Sequence, residues 1–181
     1  MKVAVIGCGS VGSWVSFLLP RYLPSLDTLA LVDFDIIEDK NLQYSIYTAH
    51  HVGSKKVTVL AGILRYFYPH VKIEPYPCRY EDIQDKLKKY DLIIDCTDSL
   101  PPKSCFRCGY NEDMISITTI QDKWYIPGQY EYNEYRFPLS PVFLATLIVY
   151  MVLKQDYNPQ NRRLNLKKLY EAILYKGRNN E

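Results

Sequence analysis

No long apolar run, no excess of one charge and no internal repeat marks this sequence, and each absence narrows what the chain can be. The longest strongly apolar stretch, Leu139 to Leu153, is about 15 residues, short of the roughly 20 that a membrane-spanning helix needs. It reads as a buried or interface helix, and no membrane association is expected. Lysine and arginine number 22 against 20 acidic residues, a formal net charge of +2. That balance argues against a nucleic-acid or anionic-membrane partner. No secretory segment precedes the first strand pattern, which begins at Lys2. The cysteines, Cys8, Cys78, Cys96, Cys105 and Cys108, are odd in number. A reducing, cytoplasmic compartment is the expectation. Low-complexity segments are missing as well. What is present is an ordinary globular composition, 48% hydrophobic and 23% charged. A length of 181 residues suits one domain with a short attachment.

Short apolar runs alternate with helical patterns along the chain. Lys2–Ile6 reads as a buried strand that stops at glycine. A helix is expected over Val11–Leu19, ended by Pro20 and Pro24. Leu29–Val32 forms a second strand, and 34–52 a long irregular loop with one helical turn. Val57, Leu60, Leu64 and Phe67 recur at helical spacing within Lys55–Tyr68, which Pro69 stops. Strands follow at Val71–Tyr76 and Leu92–Ile94, with a short helix over Glu81–Lys89 between them. A loop with a short helix is expected over Pro101–Gly109. Strands are expected at Met114–Ile120 and within Trp124–Tyr135. Ser140 and Pro141 open a helix to about Lys154, as N-cap and first helical residue. Such alternation implies an α/β fold, a mostly parallel sheet with helices on both faces. Residues 1–157 form that domain, and 158–181 a polar segment closing on an amphipathic helix.

The first strand runs directly into GCGSVG, Gly7 to Gly12, which opens the first helix. Gly7 permits a tight turn, Gly9 lets a phosphate approach the backbone, and Gly12 allows the helix to pack closely on the strand. The helix N-terminus adds N–H groups and a favourable dipole for an anion. Asp33 closes the second strand about 20 residues beyond Gly12, where an acid would accept hydrogen bonds from ribose hydroxyls. Strand, glycines, helix, strand and acid together describe a Rossmann-type nucleotide site. NAD, FAD and ATP can all use that geometry.

Beyond Asp33 the chain resembles the ThiF/MoeB/HesA family, the superfamily that includes the E1 ubiquitin-activating enzymes. The resemblance covers roughly residues 2–153. It rests on LVDFDIIEDKNLQYSIYTAHHVGSKKV, similar to the family's Asp-x-Asp, Asn-Leu-x-Arg-Gln and Gly-x-x-Lys block, and on DCTDS at 95–99. It implies a reduced form of the E1-like adenylation fold. It also implies ATP and Mg²⁺ as cofactors, and adenylation of the C-terminal carboxylate of a small ubiquitin-like or sulfur-carrier protein. Asp33 would then hold the ribose, with Asp35 as the second acid of the pair. Asn41 would lie near the phosphates and Lys56 would contact them. Asp98 would serve Mg²⁺ and the reacting α-phosphate. A carboxylate nucleophile needs no general base, but the concentrated negative charge calls for a metal, a lysine and backbone N–H groups. Hard oxygen donors such as Asp98 suit Mg²⁺. Such proteins pair as homodimers or E1-like heterodimers, and the Leu139–Leu153 helix suits an interface as well as a core.

The chain departs from the family at three places. Tyr44 and Ser45 stand where the Arg-Gln pair falls. The helical segment before the first strand is missing. The family often holds zinc with two Cys-x-x-Cys pairs; here one pair, Cys105 and Cys108, falls earlier than those do and no second follows, so packing cysteines are the default. A nucleotide-binding but inactive subunit of an E1-like complex is therefore a second reading. An NAD-dependent oxidoreductase is a third, without a recognisable catalytic pair to support it.

Overall fold

Seven strands and five helices build one sheet with helices against it in a computed structural model of the chain, which describes residues 1–97, 105–111, 114–119, 140–154 and 162–165. The strands are β1 (Lys2–Ile6), β2 (Thr28–Val32), β3 (Lys72–Tyr76), β4 (Leu92–Asp95), β5 (Cys105–Asn111), β6 (Met114–Thr119) and β7 (Arg162–Asn165). The helices are α1 (Ser10–Tyr22), α2 (Asp39–Leu42), α3 (Lys56–Phe67), α4 (Gln84–Leu87) and α5 (Ser140–Lys154). Sheet order is β3-β2-β1-β4-β5-β6-β7. The first five strands in that order are mutually parallel, while β6 and β7 run antiparallel to their neighbours. The expected α/β architecture with a mostly parallel sheet is present.

Central strands are apolar on both faces because helices cover both. Val3, Val5, Leu29 and Leu31 join Val15 and Leu19 of α1, Leu60 and Leu64 of α3, and Leu144 and Ile148 of α5 in one buried cluster. Ala4, Ile6, Ala30 and Val32 point the other way, toward Ile83, Leu87 and Tyr90. Period-two alternation along β1 and β2 sorts these two sets. Helix α5 packs along α1, with Met151 among its buried residues and Tyr150 exposed. Met151 is thus part of the core.

Four local expectations give way. Helix α1 runs through Pro20 to Tyr22 instead of ending there. The proline removes only its own N–H bond, the Leu23 N–H still closes on the Leu19 carbonyl at 2.9 Å, and Leu19 and Leu23 are both buried. The helix over 81–89 contracts to a 3₁₀ turn, Tyr80–Asp82, and the one-turn α4. Residues 105–111 form β5 between β4 and β6, where a loop and short helix were expected. β7 rises from the polar C-terminal segment and pairs with β6. The strands expected within 124–135 and the helix expected after 165 lie outside the described residues.

Candidate nucleotide site at the β1–β4 crevice

Strand order reverses at β1, with β2 and β3 on one side and β4 on the other, so the C-terminal ends of β1 and β4 lie at the topological switch point, the usual ligand position in such sheets. The glycine turn follows β1 and forms one wall. Cys96 and Thr97 follow β4 and form the other. The Cys96 N–H donates to the Ile6 carbonyl at 2.8 Å, and Asp95 Oδ1 accepts from the Thr97 N–H at 2.9 Å and its hydroxyl at 2.7 Å. Asp98 is the next residue but lies outside the described residues.

The three glycines do different work. Gly7 has φ +82°, a conformation L side chains rarely adopt, and its N–H bonds the Val32 carbonyl at 2.8 Å. A Cβ on Gly12 would stand 1.8 Å from the Gly7 carbonyl oxygen and 3.3 Å from Cys96 Cβ. Gly12 is therefore required by packing. Gly9 has φ −79°, and a Cβ there would meet nothing within 4 Å. No protein contact demands a glycine at that position. Open space at the N-cap of α1 is what an approaching phosphate would use.

Asp33 is buried beneath this turn. Its Oδ2 accepts from the Cys8 N–H at 2.7 Å and its Oδ1 from the Asp35 N–H at 2.8 Å. The acid thus shapes the turn, and each oxygen keeps a second lone pair. Asp35 reaches Lys56, whose Nζ donates to Asp35 Oδ2 at 2.9 Å. Lys56 is the first residue of α3 and its side chain is 9% exposed, so the ammonium is fixed rather than solvated. Asn41 is engaged locally: it occupies the third position of α2, and its Oδ1 accepts from the Glu38 N–H at 2.9 Å. That is helix capping. The structure therefore gathers Gly7, Gly9, Gly12, Asp33, Asp35 and Lys56 at the ends of β1 and β2, with Asn41 on the neighbouring loop.

Three bonds tie that loop down. Trp14 Nε1 donates to the Tyr44 carbonyl at 3.1 Å, the Ile46 N–H to Ser13 Oγ at 3.4 Å, and the Tyr47 hydroxyl to the Cys8 carbonyl at 2.6 Å. Trp14 and Tyr47 were not among the expected site residues, and nothing local distinguishes them. Arg79, past the end of β3, lies 4.1 Å from the centroid of Phe34, the residue after Asp33. Cys8 is fully buried; burial first and the nearby Asp33 carboxylate second push its thiol pKa well up, so it is no nucleophile.

Among the described residues no group of three His, Cys, Asp or Glu gathers to hold a metal. Cys105 and Cys108 lie in extended β5, so their Cα atoms are separated by roughly 10 Å. An intramolecular disulfide requires less than about 7 Å. No helix of the described residues is long and apolar enough to cross a membrane.

Fold and crevice together define a Rossmann-like unit of the E1 adenylation type. The ThiF family model matches residues 1–113, and the chain belongs to the ThiF family. It is similar to the sulfur carrier protein adenylyltransferase of Thermus thermophilus, at 32% identity over 105 residues, 56% of this chain and 38% of that one. It is also similar to the ATP-dependent ubiquitin transferase-like protein Cap2 of Enterobacter hormaechei subsp. hoffmannii, at 28% over 146 residues, 77% of this chain and 24% of that one. Among solved structures, E. coli MccB with ATP superposes at a TM-score of 0.68 and 19% identity. That match covers 91% of this chain and 63% of MccB. At such identity it speaks to the fold alone. The chain spans well under half the length of these two curated relatives.

Proposed function

We propose that this chain is the ATP-using unit of a ThiF-type adenylyltransferase, activating the C-terminal carboxylate of a small ubiquitin-like or sulfur-carrier protein. The observation that carries the reading is the combination of an open Gly9 at the head of α1 with the Lys56–Asp35 pair beside it. The names of the relatives, a sulfur-carrier adenylyltransferase and a ubiquitin transferase-like protein, point the same way.

In this reading the carboxylate oxygen attacks the α-phosphorus and pyrophosphate leaves, giving an acyl adenylate. Backbone N–H groups at Gly9 and the first turn of α1 bind phosphate oxygens. Lys56, held against Asp35, offers its remaining ammonium protons to the phosphate chain. Asp33 accepts from the ribose through its remaining lone pairs. Mg²⁺, when bound, neutralises the leaving pyrophosphate. Asp98, a hard oxygen donor that follows Thr97 in the chain, would hold it together with phosphate oxygens and waters. A second copy or a related subunit would complete the assembly.

Pyrophosphate exchange with ATP, Mg²⁺ and candidate carrier proteins tests the proposal. Exchange that disappears in Asp98→Ala is the expected result. Tyr44 occupies the family's arginine position, and its carbonyl braces the loop through Trp14. That favours a second reading, a nucleotide-binding subunit without turnover, which Mg-ATP binding with no exchange would establish. Tight NADH binding with no ATP binding would sink both.

A further inference from the structure

The geometry points to Tyr47 as a positioning residue for the phosphate-binding turn: its hydroxyl sets the direction in which the Gly9 N–H faces. This rests on the adenylation reading above. Tyr47 is 3% exposed, and its hydroxyl donates to the Cys8 carbonyl at 2.6 Å; the Lys56 carbonyl is 3.5 Å away. The one phenolic proton therefore belongs to the Cys8 contact. The opposite side of Cys8 is held as well, because its N–H donates to Asp33 Oδ2 at 2.7 Å. Both polar groups of one turn residue are thus clamped, by the acid after β2 and by the loop after α2.

The Cys8–Gly9 peptide is planar, and trans like every peptide bond described here. Its C=O and N–H consequently point in opposite directions. A Cys8 carbonyl drawn inward to a buried phenol turns the Gly9 N–H outward, and the space around Gly9 is open. A buried phenol needs some acceptor in any fold. What singles this one out is that its acceptor, 39 residues away in sequence, belongs to the peptide that presents the phosphate donor. Burial pushes the Tyr47 pKa far above the ordinary phenol range, so the group stays a donor. The loop that carries it is pinned to α1 on both sides of Ser45, through the Tyr44 carbonyl and the Ile46 N–H.

Calorimetric titration of the full chain with Mg-ATP and, separately, with adenosine tests the inference. Tyr47→Phe keeps the ring and removes the hydroxyl. Mg-ATP affinity is expected to fall about five- to tenfold, the worth of one well-aimed hydrogen bond, with adenosine affinity unchanged. Equal Mg-ATP affinity in both proteins, or an equal loss for ATP and adenosine, overturns the inference and leaves the functional reading intact. No Mg-ATP binding by the wild type overturns both. Should Tyr47→Phe not fold, the wild-type Gly9 amide resonance decides. A marked downfield shift on adding Mg-ATP supports the role, and an unmoved Gly9 signal amid other shifts removes it.

Discussion

At the scale of the residue, the glycine turn separates what the fold requires from what a ligand requires. Gly12→Ala places a Cβ 1.8 Å from a backbone oxygen and is expected to cost about 3 kcal/mol or more in urea unfolding. Gly9→Ala meets no atom within 4 Å at an ordinary φ, so its stability should stay within about 1 kcal/mol while Mg-ATP affinity collapses. Equal damage from both would mean that Gly9 serves only the fold. Lys56→Met retains the apolar stem and should weaken Mg-ATP binding at least about tenfold, measured by titration. These positions were legible in the sequence because their constraints are local: a strand must turn, a helix must pack, an acid must close the next strand. Asp33 was legible as an acid but not as the acceptor that shapes the turn, since that depends on where Cys8 and Asp35 direct their N–H groups. Tyr47 was illegible. It is one of 17 tyrosines, and its partner comes from another loop.

At the scale of the element, β3 is joined to the segment after α4 by charge. Glu74 accepts from Tyr76 at 3.0 Å and Tyr90 at 2.5 Å, and pairs with Lys72 at 2.6 Å. The Lys72 hydrogen bond first, and the Tyr90 hydroxyl next, hold its carboxyl at about 2. A depressed folded-state pKa contributes stability that is present in full above the ordinary value of 4.5 and is lost as pH falls from there toward 2. Urea midpoints at pH 5 and pH 3 should therefore diverge in the wild type and draw together in Glu74→Gln. Elements with clear periodicity, β1, β2, α3 and α5, were readable within a residue or two. β5 and β7 were not. CFRCGYN and RRLN carry little strand signal of their own, and they are strands because β4 and β6 offer them backbone partners. Pro20 misled for the related reason that burial of Leu19 and Leu23 outweighs one lost helix bond.

For the whole molecule, the antiparallel edge has a use. β7 covers Met114–Ile117 of β6, so a chain ending at Lys154 would expose that ladder. Such a truncation is expected to self-associate, visible as added mass in light scattering, because an unpaired strand edge templates further pairing. The site itself was legible as a sequence of motifs, but the crevice was not, since strand order places Ile6 beside Asp95. That pairing has a consequence in time. A ribosome adding about 5–20 residues per second needs on the order of 5–20 s to traverse the roughly 90 residues between the two strands. Throughout that interval the newborn glycine turn has one wall. β1 must find β2 and wait, and the wall formed by Cys96 and Thr97 comes last.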